Sequence, residues 1–117
     1  MKSGTDLINE AKSRITEVTA ADALKKHAAG KSTFLDVRDQ QEVNLGRIPG
    51  AVHISRGTLE TKIEGAVARD ADVVIYCASG NRSALVADTM KQMGYDKVSS
   101  LAGGFRAWAE AGGDIDG

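Results

Sequence analysis

Apolar and polar positions come in short blocks along this chain, and the blocks read alternately as strands and helices. Val73, Val74, Ile75 and Tyr76, within the segment Asp72 to Tyr76, form the strongest strand signal. A run apolar on both faces suits a central parallel strand. Thr33 to Val37 is apolar and β-branched enough for a second buried strand, and Ile15 to Val18, Ala51 to Ile54 and Lys97 to Leu101 read as shorter ones. Between them lie helical patterns. Thr19 caps a helix through Ala29, which Gly30 closes in the left-handed conformation. Gln40 to Leu45 reads as a short helix and Thr58 to Ile63 as a further turn or two. Val86, Met90 and Met93 fall at i, i+4 and i+7, so a helix starting near Arg82 buries that stripe and stops at Gly94. After a turn at Gly103 and Gly104, Phe105 to Ala111 closes the chain with Phe105, Trp108 and Ala109 expected on one face. This alternation predicts an α/β fold with a parallel sheet and helices on both faces. Asp6 to Arg14 reads as a short polar helix capped by Thr5 or Asp6, with little apolar surface for docking. Residues 1–14 are therefore expected as a peripheral attachment and 15–117 as the main domain.

Length and charge narrow the functional classes. A chain of 117 residues supports one core. Fifteen Lys and Arg against sixteen Asp and Glu leave a formal charge of -1, which gives no global field for nucleic acid or an anionic membrane, so any anion site must be local. One cysteine cannot form an internal disulfide, and MKSGTDLINEAKSR lacks the apolar run of a signal peptide or membrane span. The cytoplasm is the expected compartment.

The chemistry concentrates in Cys77, Ala78, Ser79, Gly80, Asn81 and Arg82, which join the strongest strand to the helix after it. Open parallel sheets place ligands at the carboxyl ends of their strands. A small, glycine-containing loop turning into a helix can point several backbone N–H groups inward, and the helix amino terminus adds partial positive charge. Arg82 sits in or beside the first helical turn, where the dipole repels a cation, so an anionic ligand is expected to account for it. The same field lowers the pKa of a thiol and makes Cys77 a nucleophile, whereas a lone cysteine at a strand end otherwise just fills space.

Taken with its surroundings, the loop resembles the rhodanese family. The matching segments are Leu35, Asp36, Val37 and Arg38 with Glu42; Gly46 to Ala51 with His53 and Ile54; Tyr76 to Ser83; and Leu101 to Trp108. They span about Ile15 to Ala111. The resemblance implies a rhodanese-like fold around a central five-stranded parallel sheet, no metal or organic cofactor, and persulfide chemistry on Cys77. It implies a thiosulfate sulfurtransferase: the thiolate takes sulfane sulfur from a small anionic donor such as thiosulfate and passes it to cyanide in vitro or to a low-molecular-weight thiol or protein acceptor. Backbone N–H groups from Ala78 to Arg82 would hold the persulfide sulfur, with Arg82 organising the loop and the donor's oxyanion. Ser79 and Asn81 would add side-chain hydrogen bonds. Asp36 and Arg38 would support the loop or line its entrance, although an ordinary structural ion pair accounts for them equally.

Two departures bear on the substrate. Arg47 stands where many relatives carry histidine, and Ala78 stands where many sulfurtransferases carry a basic residue, which leaves Arg82 as the one cation within the loop. A glutathione persulfide or protein persulfide therefore stays open as donor. Two other classes also stay open. A noncatalytic binding or regulatory module would often lack the cysteine or the loop glycine. An arsenate reductase or phosphatase would share the cysteine and arginine, but resemblance associates those oxyanions with one residue more than the four between Cys77 and Arg82. His27 and His53 have no partners at ligand spacing, so no metal site is expected.

Overall fold

The computed structural model describes residues Met1–Gly117. Helices and strands alternate as α1 (Gly4–Arg14), β1 (Thr16–Val18), α2 (Ala20–Ala29), β2 (Thr33–Asp36), α3 (Gln40–Asn44), β3 (Val52–His53), α4 (Leu59–Ala66), β4 (Val73–Tyr76), α5 (Asn81–Gln92), β5 (Val98–Leu101) and α6 (Gly104–Glu110), with a 3-10 turn at Arg56–Thr58 before α4. The strands form one parallel sheet in the order β1-β5-β4-β2-β3.

The apolar run of β4 has the cause inferred from its sequence: all four residues are buried because helices cover both sheet faces. Val73 and Ile75 face one way and pack with Leu59 and Ile63 of α4 and Val86, Ala87 and Met90 of α5. Val74 and Tyr76 face the other way, against Ala23 of α2 and Trp108 of α6. The two-residue alternation of a strand thus divides the core into two layers. Between β4 and β5 the chain crosses over as a helix, as a parallel connection requires. No helix is long and apolar enough to cross a membrane.

The local signals act where the sequence places them. Thr19 accepts the Asp22 N–H at 3.1 Å, and Gly30 closes α2 at φ 71°. Three details differ. The cap of α1 is Ser3, one residue before Gly4: its hydroxyl accepts the Asp6 N–H at 3.1 Å while the Asp6 carboxylate accepts the Ser3 N–H at 3.0 Å. That reciprocal pair satisfies two donors at once and starts the helix earlier than Thr5 or Asp6 would. The same helix is also better anchored than its polar sequence indicates. It lies against α5, buries Ala11, and sends Arg14 to the Asp88 carboxylate through two bonds of 3.0 and 2.8 Å. Finally, Ala109 is exposed. The buried arc of α6 is Gly104 and Trp108, four residues apart, with Phe105 half-buried, and Ala109 is about 100° further round.

Candidate active site

The loop after β4 is held by α6. The Phe105 N–H donates to the Cys77 carbonyl at 2.8 Å, and the Arg106 N–H to the Ala78 carbonyl at 3.3 Å. With these carbonyls committed outward, the loop's N–H groups turn inward. Gly104 makes this approach possible: at φ +59° a Cβ there would lie 2.5 Å from the Cys77 carbonyl oxygen. Gly80 is constrained similarly, with φ +99° and the Gly103 nitrogen 3.2 Å from where its Cβ would be.

Inside the loop, Cys77 Sγ accepts the Gly80 N–H at 3.1 Å and the Ser83 N–H at 3.3 Å. Ser83 is the third residue of α5, and the helix's N-cap, Gly80, has no side chain to offer it. The cysteine sulfur therefore fills the position of a capping oxygen, at the end of the helix where the dipole favours negative charge. Ser83 Oγ lies 3.4 Å from the same sulfur, accepting from the thiol when it is protonated and able to donate to the thiolate once it has ionised. Burial pushes the Cys77 thiol up, but the Ser83 hydroxyl and the N–H groups of Ser83, Gly80 and Ser79 outweigh it and hold the thiol below its ordinary value. Cys77 itself is 1% exposed, so a reacting sulfur must reach into the loop.

The other predicted residues separate. Ala78 is half-buried, while Ser79 and Asn81 turn to solvent. The Arg82 guanidinium makes two bonds to the Glu42 carboxylate, at 2.9 and 3.0 Å. The anion that compensates Arg82 at the helix start is thus a side chain of α3. Glu42 is held below the usual carboxylate range by Arg82 first, against the opposing effect of burial, with help from the Asp39 N–H. Beside this pair lies an open depression of about 440 Å³ lined by Asp39, Arg56, Gly57, Glu60 and Arg82.

Asp36 and Arg38 are 1% and 4% exposed and pair at 2.7 Å. They do not reach Cys77 by any hydrogen bond. Arg38 also donates to the Gly46 carbonyl at 2.7 Å and lies over the Phe105 ring at 4.3 Å and the Tyr76 ring at 5.4 Å. The pair is therefore buried under the site rather than at its entrance, and it joins the end of β2 to α6. His27 is wedged between the Phe34 and Trp108 rings with Nε2 at 2.9 Å from the Pro49 carbonyl, and His53 Nε2 is 2.7 Å from the Arg38 carbonyl. No three His, Cys, Asp or Glu side chains gather where they could hold a metal ion.

Sequence reasoning passed over Ser83, Ser100 and Gly104 as site residues. Ser83 Oγ lies 2.8 Å from Ser100 Oγ, both fully buried. The available signal was polarity in the wrong place: Ser99 and Ser100 interrupt a strand whose every residue is buried.

A family model for the rhodanese-like domain matches residues 19–111. Among solved structures, a protein of unknown function from Rhodopseudomonas palustris, described as a possible tyrosine phosphatase, is 37% identical over 99% of this chain and 96% of its own, with a TM-score of 0.91. A rhodanese-related protein from Thermoplasma volcanium is 30% identical over 86% of this chain and 97% of its own, at 0.78. The rhodanese-like domain of an Anabaena protein is 27% identical over 86% of this chain and 78% of its own, at 0.80. With the parallel sheet, the helices on both faces and the loop after the central strand in place, the chain belongs to the family of rhodanese-like domains.

Proposed function

We propose that the protein is a sulfurtransferase that carries sulfane sulfur on Cys77. The observation that carries this reading is the sulfur's position as the cap of α5, collecting N–H groups from Gly80 and Ser83. Such a nest favours the thiolate, and it would favour the terminal sulfur of a persulfide built outward from it. In the first half-reaction the thiolate attacks the sulfane sulfur of thiosulfate, the bond between the two donor sulfurs breaks, and sulfite leaves with its electron pair. In the second, an acceptor thiolate attacks the terminal persulfide sulfur and Cys77 departs as thiolate. The protein alternates between two stable forms, so ping-pong kinetics follow.

Ala78, Ser79, Gly80, Asn81 and Arg82 form the binding loop in this reading. For Arg82 to grip a sulfonate it must exchange Glu42 for the donor, which lowers the advantage of a dianionic substrate. Glutathione persulfide and protein persulfides therefore stand beside thiosulfate as donors, approaching over the mixed-charge depression of Asp39, Arg56 and Glu60. Asp36 and Arg38 serve as supports, fixing the strand end from which α3 carries Glu42. A cytoplasmic setting, with its reduced thiol pool, suits the chemistry.

The description of the Rhodopseudomonas relative favours one other reading, phosphate-ester hydrolysis through a cysteinyl phosphate. Both are tested together. The protein should release sulfite and form thiocyanate from thiosulfate and cyanide with parallel-line kinetics, Cys77→Ser should abolish this, and p-nitrophenyl phosphate should not turn over. Hydrolysis of the ester without sulfur transfer moves the assignment to the phosphatase, and absence of ester hydrolysis together with no sulfur transfer from either thiosulfate or glutathione persulfide moves it to a noncatalytic binding module.

A further inference from the structure

The hydroxyl of Ser100 lies in the interior with a single partner. Val98, two residues earlier on β5, packs with Val86 of α5, so the strand's alternation turns Ser100 toward the same helix. There Ser100 Oγ meets Ser83 Oγ at 2.8 Å, and Ser83 Oγ meets Cys77 Sγ at 3.4 Å. The three residues are 0%, 0% and 1% exposed.

Counting protons gives this chain a direction. With a neutral thiol there are three protons, one S–H and two O–H, for only two links. Whichever way the chain runs, one proton finds no acceptor among the three side chains. Ionisation of Cys77 removes the surplus. Ser100 then donates to Ser83, Ser83 donates to the sulfur, and every donor is used. A hydroxyl that is itself accepting a hydrogen bond also donates more strongly.

We propose that Ser100 is a positioning residue: by donating to Ser83 Oγ it fixes the Ser83 hydroxyl proton on Cys77 Sγ and so favours the thiolate at the reacting atom. This rests on Cys77 being the nucleophile. The charged groups around the cysteine come from other elements. Arg82 at the start of α5 is engaged by Glu42 of α3, Asp36 and Arg38 at the end of β2 engage each other, and Arg106 of α6 engages Glu110. Asp39 lies beside Arg82 at the start of α3, and the Tyr76 phenol accepts the Ile48 N–H. None of them hydrogen-bonds to Ser83 or Ser100, and β5 brings no titratable side chain.

The test is the rate of Cys77 alkylation by iodoacetamide as a function of pH, followed by intact mass with no sulfur donor present. Ser100→Ala should move the midpoint up by about 0.3–0.6 pH unit, so that alkylation well below the midpoint slows about two- to four-fold. Ser83→Ala should move it further, and adding Ser100→Ala to Ser83→Ala should change nothing more. A Ser100→Ala midpoint equal to that of the unaltered protein overturns the proposal. So does an undiminished effect of Ser100→Ala in the Ser83→Ala background, because the influence would then bypass Ser83. If Ser100→Ala unfolds, Ser100→Thr, which keeps the hydroxyl, is measured instead and must hold the original midpoint; a raised midpoint in the folded variant overturns the idea. Since no sulfur is transferred in this assay, failure of the sulfurtransferase reading is seen separately, by the absence of persulfide after incubation with a sulfur donor.

Discussion

Replacing Gly104 by alanine tests how α6 shapes the nucleophile's loop. The new Cβ would lie 2.5 Å from the Cys77 carbonyl oxygen and 2.7 Å from both the carbon and the oxygen of the Ala78 carbonyl, all of them backbone atoms that no rotamer change can remove. The backbone at φ +59° is itself unfavourable once a Cβ is present, by about 1–2 kcal/mol. Relieving the overlap adds about 1–3 kcal/mol. The sum, about 2–5 kcal/mol, should lower the thermal midpoint by about 4 °C for each kcal/mol in a domain of this size. The relief must also stretch the Phe105 and Arg106 N–H bonds to the loop, now 2.8 and 3.3 Å. Displacing a reacting group by about 1 Å costs around a hundredfold in rate, so turnover should fall about 10- to 100-fold in the folded variant. Urea denaturation and sulfite release measure the two effects. Gly65→Ala is the control, because its Cβ meets nothing within 4 Å and it does not line the depression beside Arg82. A Gly104→Ala protein with unchanged stability and turnover would refute the close-approach argument.

Glu42→Gln should leave stability within about 1 kcal/mol, because the pair with Arg82 is about one-third exposed on each side, yet it should lower the KM for thiosulfate about two- to five-fold by freeing the guanidinium; an unchanged or raised KM would count against Glu42 as the competing anion. Asp36→Asn strands the buried Arg38 charge and should cost about 3–5 kcal/mol in urea denaturation, and a loss under about 1 kcal/mol would show that the pair does not hold the strand end. Because Cys77 ionises more readily folded than unfolded, its contribution to stability is full above the unfolded thiol's ordinary range and is lost as pH falls through the lower folded value. The stability difference between the protein and Cys77→Ser should therefore shrink as pH falls from about 9 to about 6, and a difference flat across that range would show that the folded thiol is unperturbed.

How legible these features were depended on how far apart in the chain their parts lie. The α2 helix was readable because Thr19 and Gly30 carry its start and stop locally, and β4 because four successive apolar residues need cover on both faces. The stretch from Cys77 to Arg82 was readable as chemistry because nucleophile, glycine and helix start fall within six positions. What was hidden lies between distant segments. Glu42 and Arg82 are 40 residues apart, and without that contact Arg82 looked like half of a ligand site. Ser83 and Ser100 meet only because β4 and β5 are neighbours, a sheet order that periodicity does not encode. Gly104 read as a turn residue, since the backbone it must admit belongs to a loop 26 residues earlier. The exposure of Ala109 had a similar origin: helical spacing gives which residues share a face, but the contact with the loop decides which face is buried.

The most direct test of the account is the intact mass of the protein after incubation with thiosulfate and, separately, with glutathione persulfide. The predicted result is the gain of one sulfur atom from at least one donor, removed by cyanide and absent in Cys77→Ser. Retention of the unmodified mass with both donors, while iodoacetamide still alkylates Cys77, would contradict sulfur transfer as the function of this loop.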